Sequence, residues 1–227
     1  MHATHPYAEL TPDVVLDALA TIGLHGDGRL LALSSYENRV YQVHLEEPVQ
    51  GCEQVVVKFY RPGRWSEAAI LEEHAFAREL AAGEIPAVPP MELEGRTLHH
   101  HAGFAFSVSP RRGARAPELD DPEVLEWIGR FLGRIHTVGR AKPFQHRTIL
   151  DLRSFGTTSR EWLLAQRVIP MDVEREWRQM CDAALAAVER ALGGPSGYGD
   201  RCTVLRLHGD CHPGNILWTP DHGPHFV

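Results

Sequence analysis

The feature that most constrains the fold is a change of hydrophobic period across one polar segment. Residues 110–121 read PRRGARAPELDD, a run of proline, glycine and charge that suits neither helix nor strand. Before it, apolar residues come in short β-branched runs. After it, they recur every three to four residues, as on one face of a helix. A chain that changes period in this way builds two kinds of hydrophobic face. The expectation is a strand-rich first half holding one helix, a hinge near 108–118 and a helical second half. At 227 residues, 43% of them apolar, there is material for one large domain or two lobes with cores of their own.

Local signals place the elements. Thr11 and Pro12 open a first helix that closes near Gly23, because threonine caps N–H groups and proline tolerates the first helical position. LLAL (30–33) and RVYQVHL (39–45) read as strands joined by the polar turn SSYEN (34–38), and QVVVKFY (54–60) as a third strand. SEAAILEEHAFARELAAG (66–83) reads as a helix with Ser66 as cap and Gly83 as stop. RTLHHH (96–101) and GFAFSVS (103–109) add two short strands. Beyond the linker, apolar positions 124, 128, 131, 135 and 138 share one helix face, and positions 173, 177, 180, 184 and 188 share another. TVLRL (203–207), NILW (215–218) and HFV (225–227) read as short strands.

Charge and cysteine content exclude some partners. A net charge of −7 argues against nucleic acid and against an anionic membrane surface. The cluster Arg111, Arg112 and Arg115 reads as a solvated loop. No apolar run approaches the roughly 20 residues that span a bilayer, and MHATHPYAEL lacks the apolar core of a signal peptide. Cys52, Cys181, Cys202 and Cys211 are scattered and form no C-x-x-C pair, which fits thiols in a reducing cytoplasm.

Chemistry concentrates in LRLHGDCHPGNILW (205–218). His208, Asp210 and Asn215 have the spacing H-x-D-x-x-x-x-N of a protein-kinase catalytic loop. Phosphoryl transfer to a hydroxyl needs a carboxylate that accepts the proton and, a few residues away, an oxygen ligand for Mg²⁺ on the phosphates. Asp210 is the candidate base, Asn215 the candidate Mg²⁺ ligand and His212 a candidate phosphate contact, with His208 supporting the loop. His208, Asp210 and His212 also spell H-x-D-x-H, which could bind a transition metal. That alternative leaves Asn215 unexplained and lacks a third His or Cys partner motif. A capped turn without chemistry is the other alternative.

Two further stretches fit phosphoryl transfer. Lys58 lies in VVVKFY, a strand that looks buried, where an ammonium is costly without partners. A kinase pairs such a lysine with nucleotide phosphates and with a glutamate of the following helix. Glu72 and Glu73 are both candidates. Glu73 is chosen because it is three residues from Ile70 and Phe76, four from Ala77 and seven from Leu80, on the apolar face. In the turn before the lysine strand, Ser34, Ser35 and Asn38 offer hydroxyl and amide donors to phosphate. The turn has no glycine, so its backbone cannot approach phosphate as freely as a glycine-rich turn does. His99, His100 and His101 are adjacent on a strand and alternate between its faces, which reads as an exposed hairpin strand rather than a metal cluster.

These stretches carry a family resemblance. HGDCHPGNILW looks like the catalytic loop of the aminoglycoside phosphotransferase/choline kinase group, a kinase-like superfamily. SYENRVYQV, VVVKFYRPGRW, ILEEHAFARELAAGEIPAVPP and LRLHGDCHPGNILW resemble the stress response kinase A family, bacterial cytoplasmic Ser/Thr protein kinases. The similarity is weakest around 140–200. The resemblance implies an α+β, bilobal protein-kinase-like fold, with an N-lobe over 1–109, a linker over 110–118 and a partial helical C-lobe over 119–227. It implies ATP and Mg²⁺ as cofactors, a protein substrate with Ser or Thr hydroxyls, and adenine contacts from backbone near Val108. A small-molecule acceptor of the aminoglycoside, choline or homoserine kind stays open, as does a nucleotide-binding module without turnover. Family members follow the FV strand with an aspartate that supplies the second Mg²⁺ ligand, then with further helices. Asp221 comes too early for that role. Residues 1–227 are therefore expected to carry half of the metal site, an incomplete C-lobe and little turnover.

Overall fold

The computed structural model describes residues 6–112, 115–192 and 203–227. Gly113 and Ala114 of the expected linker, and Cys202, lie outside the described residues. The architecture is α+β, and the chain divides into two compact units, residues 1–146 with 207–227 and residues 147–206.

In the first unit, helix α1 (Pro12–Ala20) is capped by Thr11, whose hydroxyl accepts from Val14 N. Five strands follow: β1 (Gly26–Leu33), β2 (Arg39–Val49), β3 (Cys52–Phe59), β4 (His99–His101) and β5 (Phe104–Pro110). They form one antiparallel sheet in the order β1-β2-β3-β5-β4. The hairpins β2–β3 and β4–β5 turn on Gln50-Gly51 and Ala102-Gly103, all four with positive φ, as a type I′ turn requires of its two central residues. Strand period places Val55, Val57 and Phe59 on the covered face, where they meet Phe104, Phe106, Val108 and the α1 residues Val15 and Leu19. Each such fully buried side chain contributes roughly 1.5–3 kcal/mol.

The same alternation corrects one expectation. Lys58 sits on the other face of β3 from its apolar neighbours and keeps a third of its side chain exposed, so the strand is buried on one side only. Helix α2 (Glu67–Ala82) is capped by Ser66 and ends at Gly83. Its Phe76 and Leu80 pack with Val124, Ile128 and Ile135 of helix α3 (Pro122–Gly139), and with Ile216 and Phe226. Those last two belong to the antiparallel hairpin of β6 (Ile216–Thr219) and β7 (Gly223–Phe226). The chain after α2 ties the hairpin in place: Phe226 N donates to Pro86 O at 2.8 Å and Val88 N to Phe226 O at 2.9 Å.

The second unit holds a wide turn (Arg153–Thr157), helix α4 (Thr158–Ala165) and helix α5 (Glu174–Leu192). Arg160 pairs with Asp182 at 2.7 Å between the two helices. Among the described residues, neither helix has a fully buried side chain, and Met180 on the apolar stripe of α5 is 72% exposed. The stripe at 173–188 marks the helix correctly, with Val173 just before its first residue. Two strand expectations also change. In RTLHHH only His99–His101 form a strand, Arg96 making an isolated bridge with Leu93, and residues 203–207 join no strand. Among the described residues, no helix is long and apolar enough to cross a membrane.

Candidate active site

Lys58 occupies the central row of the sheet, opposite Val40 on β2 and Ser107 on β5. Its Nζ donates to Glu73 Oε1 at 3.2 Å and stands 5.1 Å from the centroid of the Tyr60 ring. Adjacent residues of a helix point about 100° apart, and the two α2 glutamates serve different partners. Glu72 accepts the backbone N–H groups of Gln145, at 2.5 Å, and His146, at 2.8 Å, which anchors the chain that follows α3. Glu73 is the one that meets Lys58.

The segment 208–215 is wired to itself. Asp210 N donates to His208 Nδ1 at 3.4 Å, and Gly214 N donates to His212 Nδ1 at 3.0 Å. Asn215 Nδ2 donates to Asp210 O at 2.9 Å and to its Oδ2 at 3.1 Å. The Asp210 carboxylate is 77% exposed, with His212 Nε2 3.8 Å from its Oδ1. His208 lies deeper, its ring edge-on to Phe226. Burial pushes the His208 imidazole below its ordinary value, and the Lys58 charge adds to this. The Val227 backbone, Asp210 and Glu73 pull the other way. Asp210, Glu73 and Lys58 thus all act electrostatically on one imidazole.

Asn215 turns its amide nitrogen to Asp210, and its amide oxygen is a hard donor that could hold Mg²⁺ when phosphate oxygens and water complete the shell. The H-x-D-x-H alternative finds no third ligand: among the described residues no group of three or more His, Cys, Asp or Glu could hold a metal ion.

The turn at 34–38 is held by a residue that sequence reasoning passed over. Glu37 accepts from Arg64 Nε at 2.8 Å and from Trp65 Nε1 at 2.8 Å, and its carbonyl accepts from the Tyr7 hydroxyl at 3.0 Å. Burial opposes its charge, but these donors prevail and its carboxyl sits below the usual range. The pairing of Arg39 with Phe59 carries the signal, since that register sets residue 37 beside the Arg61–Trp65 loop. Within the turn, Ser35 Oγ donates to Asn38 O at 2.9 Å, and Asn38 Oδ1 accepts from Arg61 N at 3.3 Å. Ser34 is exposed. Val108 is fully buried in β5, and its carbonyl accepts from Met91 N at 2.7 Å.

Comparison with known proteins adds three findings. The model of the phosphotransferase enzyme family matches residues 29–227. Stress response kinase A of Escherichia coli (strain K12) is 41% identical over 221 residues, which are 97% of this chain and 64% of that protein. The serine/threonine protein kinase RdoA of Salmonella typhimurium is 39% identical over the same shares. The chain thus spans 64% of the length of these curated relatives. Among solved structures, an amicoumacin kinase in complex with AMP-PNP and Ca²⁺ is similar at a TM-score of 0.61, with 18% identity over 88% of this chain and 58% of that one. A spectinomycin phosphotransferase in complex with ADP and spectinomycin is similar at 0.57, with 14% identity over 94% and 67%. At those identities the structures speak for the fold.

Proposed function

The chain belongs to the phosphotransferase enzyme family, and from that premise we propose that it acts as an ATP- and Mg²⁺-dependent Ser/Thr protein kinase of the stress-response kind. The acceptor hydroxyl oxygen bonds to the γ-phosphorus of ATP, the bond from that phosphorus to the β–γ bridging oxygen breaks, and ADP leaves. Asp210 positions the hydroxyl and takes its proton. Lys58, oriented by Glu73, offsets charge on the nucleotide phosphates, while Ser34, Ser35 and Asn38 border them. Asn215 would hold Mg²⁺, whose chemistry when bound is charge neutralisation at the phosphates. His212 stands beside Asp210 as a phosphate contact. A cytoplasmic location belongs to the same proposal.

The observation that carries this reading is that one compact unit holds both a strand lysine paired with a helix glutamate, Lys58–Glu73, and a loop in which Asn215 is bonded to Asp210. A small-molecule acceptor is the second reading, favoured by the amicoumacin and spectinomycin kinases among the similar structures. γ-Labelled ATP with Mg²⁺, offered dephosphorylated casein and a panel of aminoglycosides and amino alcohols, separates them. The assay is run on residues 1–227, for which little turnover is expected, and on the same residues joined to the unmatched remainder of stress response kinase A. Label on protein hydroxyls is expected, label on small molecules alone would install the second reading, and nucleotide binding without transfer would leave a binding module.

A further inference from the structure

Behind the Lys58–Glu73 pair lies a buried polar chain that the proposed roles leave unused. The Tyr60 hydroxyl is 2.7 Å from His74 Nε2 and 3.1 Å from Ser107 Oγ, and His74 Nδ1 is 2.9 Å from Thr97 Oγ1. All four side chains are at most 5% exposed. They come from the end of β3, from α2, from the approach to β4 and from β5, so only the finished fold assembles them. Burial holds the His74 imidazole down to about 4, so at neutral pH the ring is uncharged, with one donor and one acceptor nitrogen. Either tautomer completes the chain with Ser107 and Thr97. Buried polar groups that are fully paired rigidify their surroundings.

What this chain fixes is the plane of the Tyr60 ring. Residues 58 and 60 lie two apart along an extended segment and share a face. Glu73 and His74 are consecutive on α2. Strand and helix are thus joined by two neighbouring clasps, Lys58 with Glu73 and Tyr60 with His74. The Lys58 ammonium rests over the Tyr60 ring at 5.1 Å, inside the roughly 6 Å reach of a cation–π contact.

We propose that Tyr60 and His74 are positioning residues for the phosphate-binding lysine. The Tyr60 ring, locked by His74 and Ser107, forms a floor that keeps the Lys58 ammonium beside Glu73 and aimed at nucleotide phosphates. The inference rests on the reading of Lys58 given above and extends it to a layer of side chains that touch no substrate.

The test compares affinities for Mg²⁺–AMP-PNP and for adenosine by titration calorimetry, since the ratio isolates the phosphate contribution. Lys58→Met, Tyr60→Phe, Tyr60→Leu, His74→Gln and the Lys58→Met/Tyr60→Leu double variant are measured beside the wild type. Tyr60→Leu is expected to weaken AMP-PNP binding about threefold to tenfold and to leave adenosine unchanged. Tyr60→Phe and His74→Gln are expected to lose less, because the ring remains. In the Lys58→Met background, Tyr60→Leu is expected to add nothing, the signature of a residue that works through Lys58. If wild-type binding is absent, or if Lys58→Met leaves AMP-PNP binding unchanged, the reading of Lys58 falls and this inference falls with it. If Lys58→Met weakens AMP-PNP while Tyr60→Leu does not, or weakens adenosine equally, or loses as much in the Lys58→Met background, the positioning role alone is overturned. Should Tyr60→Leu fail to fold, Tyr60→Phe and Ser107→Ala are judged by the same ratio.

Discussion

Lys58 and Asp210 are held in place by opposite means. Lys58 is fixed from outside its own segment, by strands on both sides, a glutamate 15 residues on and a tyrosine bonded to His74 and Ser107. Asp210 is fixed from within, by hydrogen bonds that span no more than five residues, and its carboxylate faces solvent. Two means suit two tasks. A lysine that anchors a polyanion gains from a rigid seat, whereas a base that meets changing acceptors needs local order and an open approach.

Perturbing each region separately tests the contrast, and the lysine side carries the largest expected change. His74 has a folded value of about 4 against an ordinary 6.5. The unfolded chain therefore takes up the proton first. The stabilisation is complete above pH 6.5 and is lost as pH falls through about 4, on the order of 3 kcal/mol in all. Urea denaturation at several pH values should show that loss in the wild type, and His74→Gln should flatten it; equal slopes would remove His74 from the account. Glu37, also depressed, stabilises above its ordinary 4.5 and loses that contribution as pH falls below it, a window that starts lower.

A smaller effect is expected where the hairpin supports the loop. Gly223 has φ +70°, and a Cβ there would stand 2.8 Å from the Trp127 ring. Gly223→Ala should cost about 1–3 kcal/mol in denaturation while adenosine affinity stays unchanged. Weakened adenosine binding would mean that the two regions are not separable in this way. The smallest stability effect is expected at Asn215, which among the described residues is bonded within its loop and hairpin. Asn215→Ala should stay within roughly 0.5 kcal/mol of the wild type and yet raise the Mg²⁺ needed for half-maximal transfer. A large loss of stability would show that the loop is held by more than its own bonds.

The same contrast explains what could be read in advance. The loop was legible because its bonds are local, so a spacing of residues stands directly for a geometry. The choice of Glu73 over Glu72 was legible from helical period, but the role of Glu72 was not, since its partners lie 73 and 74 residues away. Tyr60 and Ser107, 47 residues apart, meet only through the β3–β5 register, and no periodicity announces that. Lys58 looked buried because Val-Val-Val-Lys-Phe reads as one apolar run, while pleating turns alternate residues outward. TVLRL has strand composition and yet forms no strand. In residues 147–206 the helical period marks α5 correctly, but the wide turn and α4 carry weak periodicity and were not anticipated.

The account's central claim is that Asp210 accepts the proton in phosphoryl transfer while Lys58 anchors the nucleotide. Asp210→Asn keeps the size of the side chain and its acceptor carbonyl and removes the base, so transfer of label from γ-labelled ATP measures the claim most directly. The predicted result is AMP-PNP affinity within about twofold of the wild type and transfer reduced by roughly 10²–10⁴-fold. Transfer at the wild-type rate in Asp210→Asn would contradict it.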